Sequence, residues 1–273
     1  MDLDCIYNIS SFIEKNYNNP ISIKDLERIS FYSYRNIQRI FKYSCGETIG
    51  AYQKRLRVEN AYKLILYTKK TLSDIALEVG FDNLASFSKA FKQSFGVSPK
   101  EARLNKKQLF AQNALIPTPS DVVHKHQIVH IPPLKIYYQS TKTAYINEEI
   151  ETLWEKFLTH TFPEKGIEYY GVVADEPLIT DKILCRYDAC SSFQAQNKNL
   201  PSKTILGGRY ARFLHEGSYS SIDDTYTYIY TRWILTTDLE FSPSPIIEHY
   251  IKHDSNTENE MDFLTAILIP IMR

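Results

Sequence analysis

Glycine is scarce in this chain, nine among 273 residues, and none of it builds G-x-G-x-x-G, G-x-x-x-x-G-K-[ST] or G-x-S-x-G. Phosphate-cradling loops and nucleophile elbows need those spacings for close backbone approach, so the common nucleotide-binding and α/β-hydrolase classes are set aside. H-E-x-x-H is missing too, and with it the usual zinc-protease helix. The four cysteines, Cys5, Cys45, Cys185 and Cys190, form no C-x-x-C pair and stand at no structural-zinc spacing from a histidine, which reads as reduced thiols in a cytosol. The longest nearly apolar run, residues 263–272, is about half of the ~20 residues a membrane span requires. Residues 1–18 alternate charged with apolar side chains, unlike a signal peptide. A cytoplasmic chain with no membrane partner, no metal and no cofactor is expected. His124, His126 and His130, or Glu248, His249 and His253, come nearest to a metal set, but strand alternation scatters such spacings onto opposite faces.

What is present points to folded domains. Hydrophobic residues make up 43% of the chain and aromatics 13%, which excludes a disordered polymer. The length suits about two domains. The formal net charge is zero, yet it hides a division. Lys and Arg outnumber Asp and Glu 18 to 11 over residues 1–107, a net of +7, and are outnumbered 14 to 21 over residues 108–273, a net of −7. A basic half suits a polyanion, and an acidic half suits something small, cationic or proteinaceous. Between them the sequence turns polar and Pro-containing (Pro117, Pro119) before alternation resumes at Ile128, so the boundary is set as residues 1–107, a linker 108–126, and residues 127–273.

The first half repeats itself. Phe41-Lys42-x-Ser44-x-Gly46-x-Thr48 recurs as Phe91-Lys92-x-Ser94-x-Gly96-x-Ser98, each preceded by an Asp and an aliphatic residue, Asp25-Leu26 and Asp74-Ile75. Each unit reads as a short helix, a turn and a longer helix: 23–29 then 33–44, and 73–79 then 83–94. Ser33 and Asp82 or Asn83 suit the N-caps, Gly80 the left-handed turn, and Gly46 and Gly96 the stops. Thr48 and Ser98 open the next helices, Ser98 with Pro99 at the first helical position. Ile37, Ile40, Phe41, Phe87 and Phe91 give each longer helix one apolar face. The opposite face of the first carries Tyr34, Arg35, Gln38, Arg39 and Lys42, and Arg and Gln are the side chains that make paired contacts to guanine and adenine edges. One basic helix alone is more often a solvated face; duplication and matching caps favour a groove reader. Residues 49–67 read as a connecting helix of roughly 28 Å, close to the ~34 Å between successive major grooves.

These residues, with Arg57-x-x-x-Ala61-x-x-Leu64, Asp74-Ile75-Ala76, Gly80-Phe81, Phe87-x-x-x-Phe91-Lys92 and Gly96-x-Ser98-Pro99, resemble the AraC/XylS family of bacterial transcriptional regulators over residues 3–105. The resemblance implies an all-α double helix-turn-helix domain that binds double-stranded promoter DNA through the second helix of each unit, with RNA polymerase as partner and activation as the outcome. By position it places Tyr34, Arg35, Gln38 and Arg39 at base-facing positions of the first unit and Leu84, Ala85, Ser88 and Lys89 at those of the second. The second set is poor in readers, so the first unit is expected to carry base specificity while Lys89 and Lys92 attract phosphate. Ser33, Asn83 and Ser86, at the helix starts, complete the expected DNA contacts. Glu27 stands where the family prefers a small residue, and Phe31-Tyr32 where a glycine turn is common.

The second half changes to strands at 129–138, 169–174 and 183–190 around a helix at 148–160, then strands at 208–215, 246–251 and 263–269 around a helix at 221–235. This is βαββ twice, an α+β domain, which makes the whole a multidomain protein. Leu184-Cys185-Arg186-Tyr187-Asp188-Ala189-Cys190, Gly207-Gly208-Arg209-Tyr210, His215-Glu216-Gly217-Ser218-Tyr219 and Ile269-Pro270-Ile271 resemble the gyrase-inhibitory-protein-like effector-binding domain. The resemblance implies a small-molecule effector in a groove near the pseudo-twofold, touched by Tyr137, Trp154, Tyr169, Trp233 and Tyr250. The carboxylate such domains hold four residues before the final proline falls here on Ala266, leaving Glu216, Glu248 and Asp262 as substitutes. A regulator modulated by an effector is expected. The alternatives are a small-molecule hydrolase, for which no nucleophile-base-orienter set is visible, and a protein-partner module.

Overall fold

The computed structural model describes residues 3–106, 108, 125–143, 147–159, 166–175, 179, 185–193, 200–242 and 244–272. The chain divides into two compact units, Met1–Asn105 and Lys106–Arg273. Most of the expected linker, residues 109–124, lies outside the described residues, as does His160 at the end of one expected helix.

The first unit is helical: α1 (Leu3–Lys15), α2 (Ile23–Ser30), α3 (Tyr34–Cys45), α4 (Ile49–Tyr67), α5 (Leu72–Glu78), α6 (Leu84–Phe95) and α7 (Pro99–Leu104). Leu26, Ile37, Phe41, Ile49, Tyr52 and Leu56 join Ile9 and Ile13 of α1 in one core. A second aromatic set packs Tyr62 of α4 edge-on against Phe91 at 5.0 Å and Phe87 against Phe91 at 5.6 Å. Serving both sets, α4 is buried along much of its length, which removes the one-sided pattern an ordinary surface helix shows.

The caps follow local chemistry. Thr48, Thr71, Asn83 and Ser98 each accept a hydrogen bond from a backbone N–H of the first turn, and Ser98 with Glu101 forms a reciprocal box behind Pro99. Gly46 and Gly96 close α3 and α6 in the left-handed conformation. Ser33 departs from expectation. It occupies the N-cap position of α3, but its side chain makes no cap bond; the Tyr34 N–H donates instead to Glu27 Oε1 at 2.8 Å. The carboxylate at the position where a small residue was expected therefore caps the next helix.

The second unit is an eight-stranded antiparallel sheet: β1 (His126–Ile131), β2 (Leu134–Lys142), β3 (Tyr169–Val173), β4 (Arg186–Ser191), β5 (Ser202–Ile205), β6 (Gly208–Glu216), β7 (Ile246–Lys252) and β8 (Leu264–Ile271), in the order β1-β6-β8-β7-β3-β4-β2-β5. Helix α8 (Asn147–Leu158) packs on β2 and β4. Helix α9 (Ile222–Tyr228) continues through a π-helical turn, Ile229–Trp233, and contacts β6. The two βαββ copies meet at β3 and β7, where Tyr169 pairs with Tyr250 and Gly171 with Glu248.

The first strands of the two repeats differ from the sequence expectation. The single strand at 129–138 is broken at Pro132-Pro133, which cannot continue a ladder, and its halves go to opposite edges: β1 pairs with β6 and β2 with β4 and β5. Strand β5, unforeseen in the sequence, is its counterpart, joined to β6 by Leu206-Gly207 and paired with β2. Each repeat is thus ββαββ, and the two exchange their first strands.

Candidate functional site

The DNA-facing candidate is α3. Ile37 and Phe41 anchor it in the core, so Arg35, Gln38, Arg39 and Lys42 stand exposed on the other side. Among the described residues no ion pair engages Arg35, Arg39 or Lys42, which leaves their charge available to a polyanion. Tyr34 is half-buried against the first core rather than fully presented. Asn36 and Tyr43 are exposed on the same helix, Tyr43 at 81%, and the sequence reading missed both. Tyr43 follows Arg39 by four residues, a spacing that could have found it.

On α6 the structure exposes Leu84, Ala85, Ser86, Lys89 and Lys92, with Ser88 half-buried. Asn83 and Ser86 are already engaged with each other: Ser86 N–H donates to Asn83 Oδ1 at 2.8 Å, and Ser86 Oγ donates to Asn83 O at 3.0 Å. The exposed face of α6 therefore offers Lys89 and Lys92, the apolar Leu84 and Ala85, and the polar Gln93 and Ser94.

The second candidate is a cavity of about 540 Å³ in the sheet unit. Trp154 of α8 and Tyr169, Tyr219, Tyr250 and Phe263 supply its aromatic walls, with Tyr250 edge-on to Trp154 at 5.2 Å and to Tyr219 at 5.5 Å. Glu151, Glu155, Asp254 and Glu260 also line it, along with His253, and among the described residues no Lys or Arg does.

Glu248 of β7, almost fully buried, adds a carboxylate inside. Tyr187, Tyr226 and Tyr250 donate their hydroxyls to it at 2.9, 2.7 and 2.7 Å, and Trp154 Nε1 donates to Tyr187 Oη at 3.3 Å. Burial first, and the Glu248 charge second, push all three phenols well above their ordinary pKa, so they remain neutral donors. Gly171, opposite Glu248 across the β3–β7 ladder, makes the arrangement possible: a Cβ there would stand 2.1 Å from Tyr187 Oη and 2.6 Å from Glu248 Oε2. The result is a buried negative charge held by hydrogen bonds and facing aromatic walls.

Of the residues expected in the pocket, Trp154, Tyr169, Glu248 and Tyr250 line it. Trp233 does not, because it is buried against Phe213 and Phe241 at 4.8 and 5.3 Å. Tyr137 lies on β2 beneath Lys135, Glu216 is exposed at the end of β6, and Asp262 is exposed beside the lining residue Glu260. Ala266 pairs with His249, while Glu248 pairs with Ile267, so the position expected to carry the carboxylate lies on the other face of the sheet from Glu248. The sequence reading missed Tyr187 and Tyr226, which the sheet order brings to Glu248, and Tyr219, which lines the cavity edge-on to Tyr250. Among the described residues the candidate histidines sit apart: His126 stacks on Phe213, His249 on Tyr170, and His253 packs edge-on to Tyr169. His124 lies outside the described residues.

Comparison with known proteins assigns a domain family to each unit. A GyrI-like small molecule binding domain matches residues 124–272, more than half of the chain, and a helix-turn-helix domain matches residues 26–105. The chain belongs to the GyrI-like family. It is a DNA-binding transcriptional regulator of the AraC type that carries this domain as its effector-binding half. The regulator is 25% identical to the transcriptional regulator Rob of Salmonella typhimurium over 96% of both chains. It is 44% identical over 92 residues to the HTH-type regulator YkgA of Escherichia coli, a match that spans 34% of this chain and only 38% of that protein. It is 37% identical to the activator AarP of Providencia stuartii, over 37% of this chain and 74% of that one. Among the described residues no helix of the regulator is long and apolar enough to cross a membrane.

Proposed function

We propose that the regulator reads promoter DNA chiefly through α3 and responds to a flat, cationic small molecule held at Glu248. Arg35, Gln38 and Arg39 contact base edges, and Lys42, Lys89 and Lys92 contact phosphates. The observation that carries the effector class is the buried Glu248 carboxylate, accepting three tyrosine hydroxyls in a cavity lined by further acids and, among the described residues, by no Lys or Arg. Hydrogen bonds hold such a charge but do not neutralise it, so an entering cation regains Coulomb energy that a neutral molecule does not. The aromatic walls add cation–π attraction. Effector binding changes transcription by favouring one arrangement of the regulator over another. RNA polymerase in the bacterial cytoplasm is the partner that receives the change, and activation is its sign.

The test is calorimetric binding of N-methylacridinium against neutral acridine at mildly alkaline pH, with wild type and Glu248→Gln. Wild type is expected to prefer the cation, and Glu248→Gln to weaken the cation by about 10–100-fold while leaving acridine unchanged, the scale of a lost buried charge pair. Equal binding of both compounds to wild type would remove Glu248 as the recognition element.

A further inference from the structure

Gln53 and Arg57 lie one turn apart on α4, and both donate to main-chain carbonyls of the connection between α1 and α2. Arg57 Nε reaches Tyr17 O at 2.7 Å and Nη2 reaches Asn19 O at 3.3 Å; Gln53 Nε2 donates to the same two oxygens at 3.0 and 2.7 Å. The remaining guanidinium nitrogen, Nη1, donates to Gly80 O at 2.7 Å. Gly80 is the left-handed residue, φ +91°, in the turn between α5 and α6. One side chain therefore ties the segment leading into the first helix-turn-helix to the turn inside the second.

The two segments also touch directly. Asn18 Nδ2 donates to Glu78 O at 3.3 Å, and a Cβ on Gly80 would stand 2.2 Å from Asn18 O. Asp82, just before α6, offsets part of the cost of burying the guanidinium.

We infer that Arg57 is a positioning residue for DNA recognition: it fixes the orientation of the second helix-turn-helix against the first and so sets the spacing of the two DNA segments read together. The inference rests on the reading that α3 and α6 both contact DNA. The connecting helix α4 sets the distance between the units, and Arg57 adds a side-chain tie between the connection before the first unit and the turn inside the second. The planar guanidinium adds a fork with three fixed directions, which a lysine cannot reproduce. Joining two weak binding modules raises affinity only when their geometry matches the site, through effective concentration. Loosening the clamp lowers that concentration without altering any base-facing side chain.

The full chain first selects its preferred duplex from a randomised pool. Affinity is then measured for that duplex, for versions with one or two base pairs inserted between the two protected segments, and for a duplex keeping only the segment protected by the first unit. Wild type is expected to lose about 30-fold on the first insertion. Arg57→Ala should lose no more than about threefold on that insertion, bind the uninterrupted site about tenfold more weakly, and equal wild type on the single segment. Arg57→Lys, which keeps charge and stem, gives the same comparison if Arg57→Ala does not fold, and Gln53→Ala should move in the same direction by less. A variant with the wild-type insertion profile, or one weakened equally on the single segment, overturns the inference. A wild-type profile flat across insertions overturns the two-unit reading and the inference with it.

Discussion

Phe31 closes α2 in the left-handed conformation, φ 60°, with its ring 94% exposed. A non-glycine residue there carries about 1–2 kcal/mol of strain, and glycine's extra freedom when unfolded returns about 0.5–1 of it. Phe31→Gly is therefore expected to raise stability by about 0.5–1 kcal/mol in urea unfolding; a loss of stability would mean that the exposed ring makes a contact of its own. Glu27 acts on the same turn from the other side. Removing its bond to the Tyr34 N–H in Glu27→Ala should cost about 1 kcal/mol, the usual loss for a helix cap, and the thermal midpoint measures it. On the exposed side of α3, Arg39→Ala should weaken specific DNA binding by roughly 1–3 kcal/mol, whereas Lys92→Ala should weaken all duplexes evenly and lower the salt slope by about one. Equal loss on specific and random DNA for Arg39→Ala would remove it from base reading.

The elements differ in how much of them the sequence discloses. Helices α2 to α7 were legible because their signals are local: caps and stop glycines mark their ends, and α3 and α6 add a 3.6-residue apolar face within a dozen residues. Strands β1 and β2 were not, because a continuous alternating run conceals that Pro132-Pro133 sends its halves to opposite edges, and β5 is too short to declare itself. The pocket was half legible for the same reason. Alternation could mark Glu248 and Tyr250 as sharing a face, but only the sheet order brings Tyr187 of β4 and Tyr226 of α9 to that carboxylate. At the far end of β7 the pocket holds His253, whose pKa burial keeps below the ordinary 6.5, with Asp254 opposing. A depressed histidine pKa contributes stability above 6.5 that is lost as pH falls through the folded value. Protonation also places a positive charge beside the cation site. Cation affinity should therefore fall on acidification below 6.5, and His253→Gln should flatten that limb in a binding titration; an unchanged limb would assign the effect to the carboxylates instead.

Across the whole molecule, the charge division of +7 over residues 1–107 and −7 over residues 108–273 matches the two chemistries, an exposed basic helix face in one unit and an acidic aromatic cavity in the other. The most direct test of this account is a salt titration of the full chain on its own upstream intergenic DNA against a scrambled duplex, with wild type and Arg35→Ala/Arg39→Ala. The account predicts a wild-type preference for the upstream DNA that the double variant loses while keeping its affinity for the scrambled duplex. Equal binding of wild type to both duplexes at physiological salt would contradict sequence reading by α3.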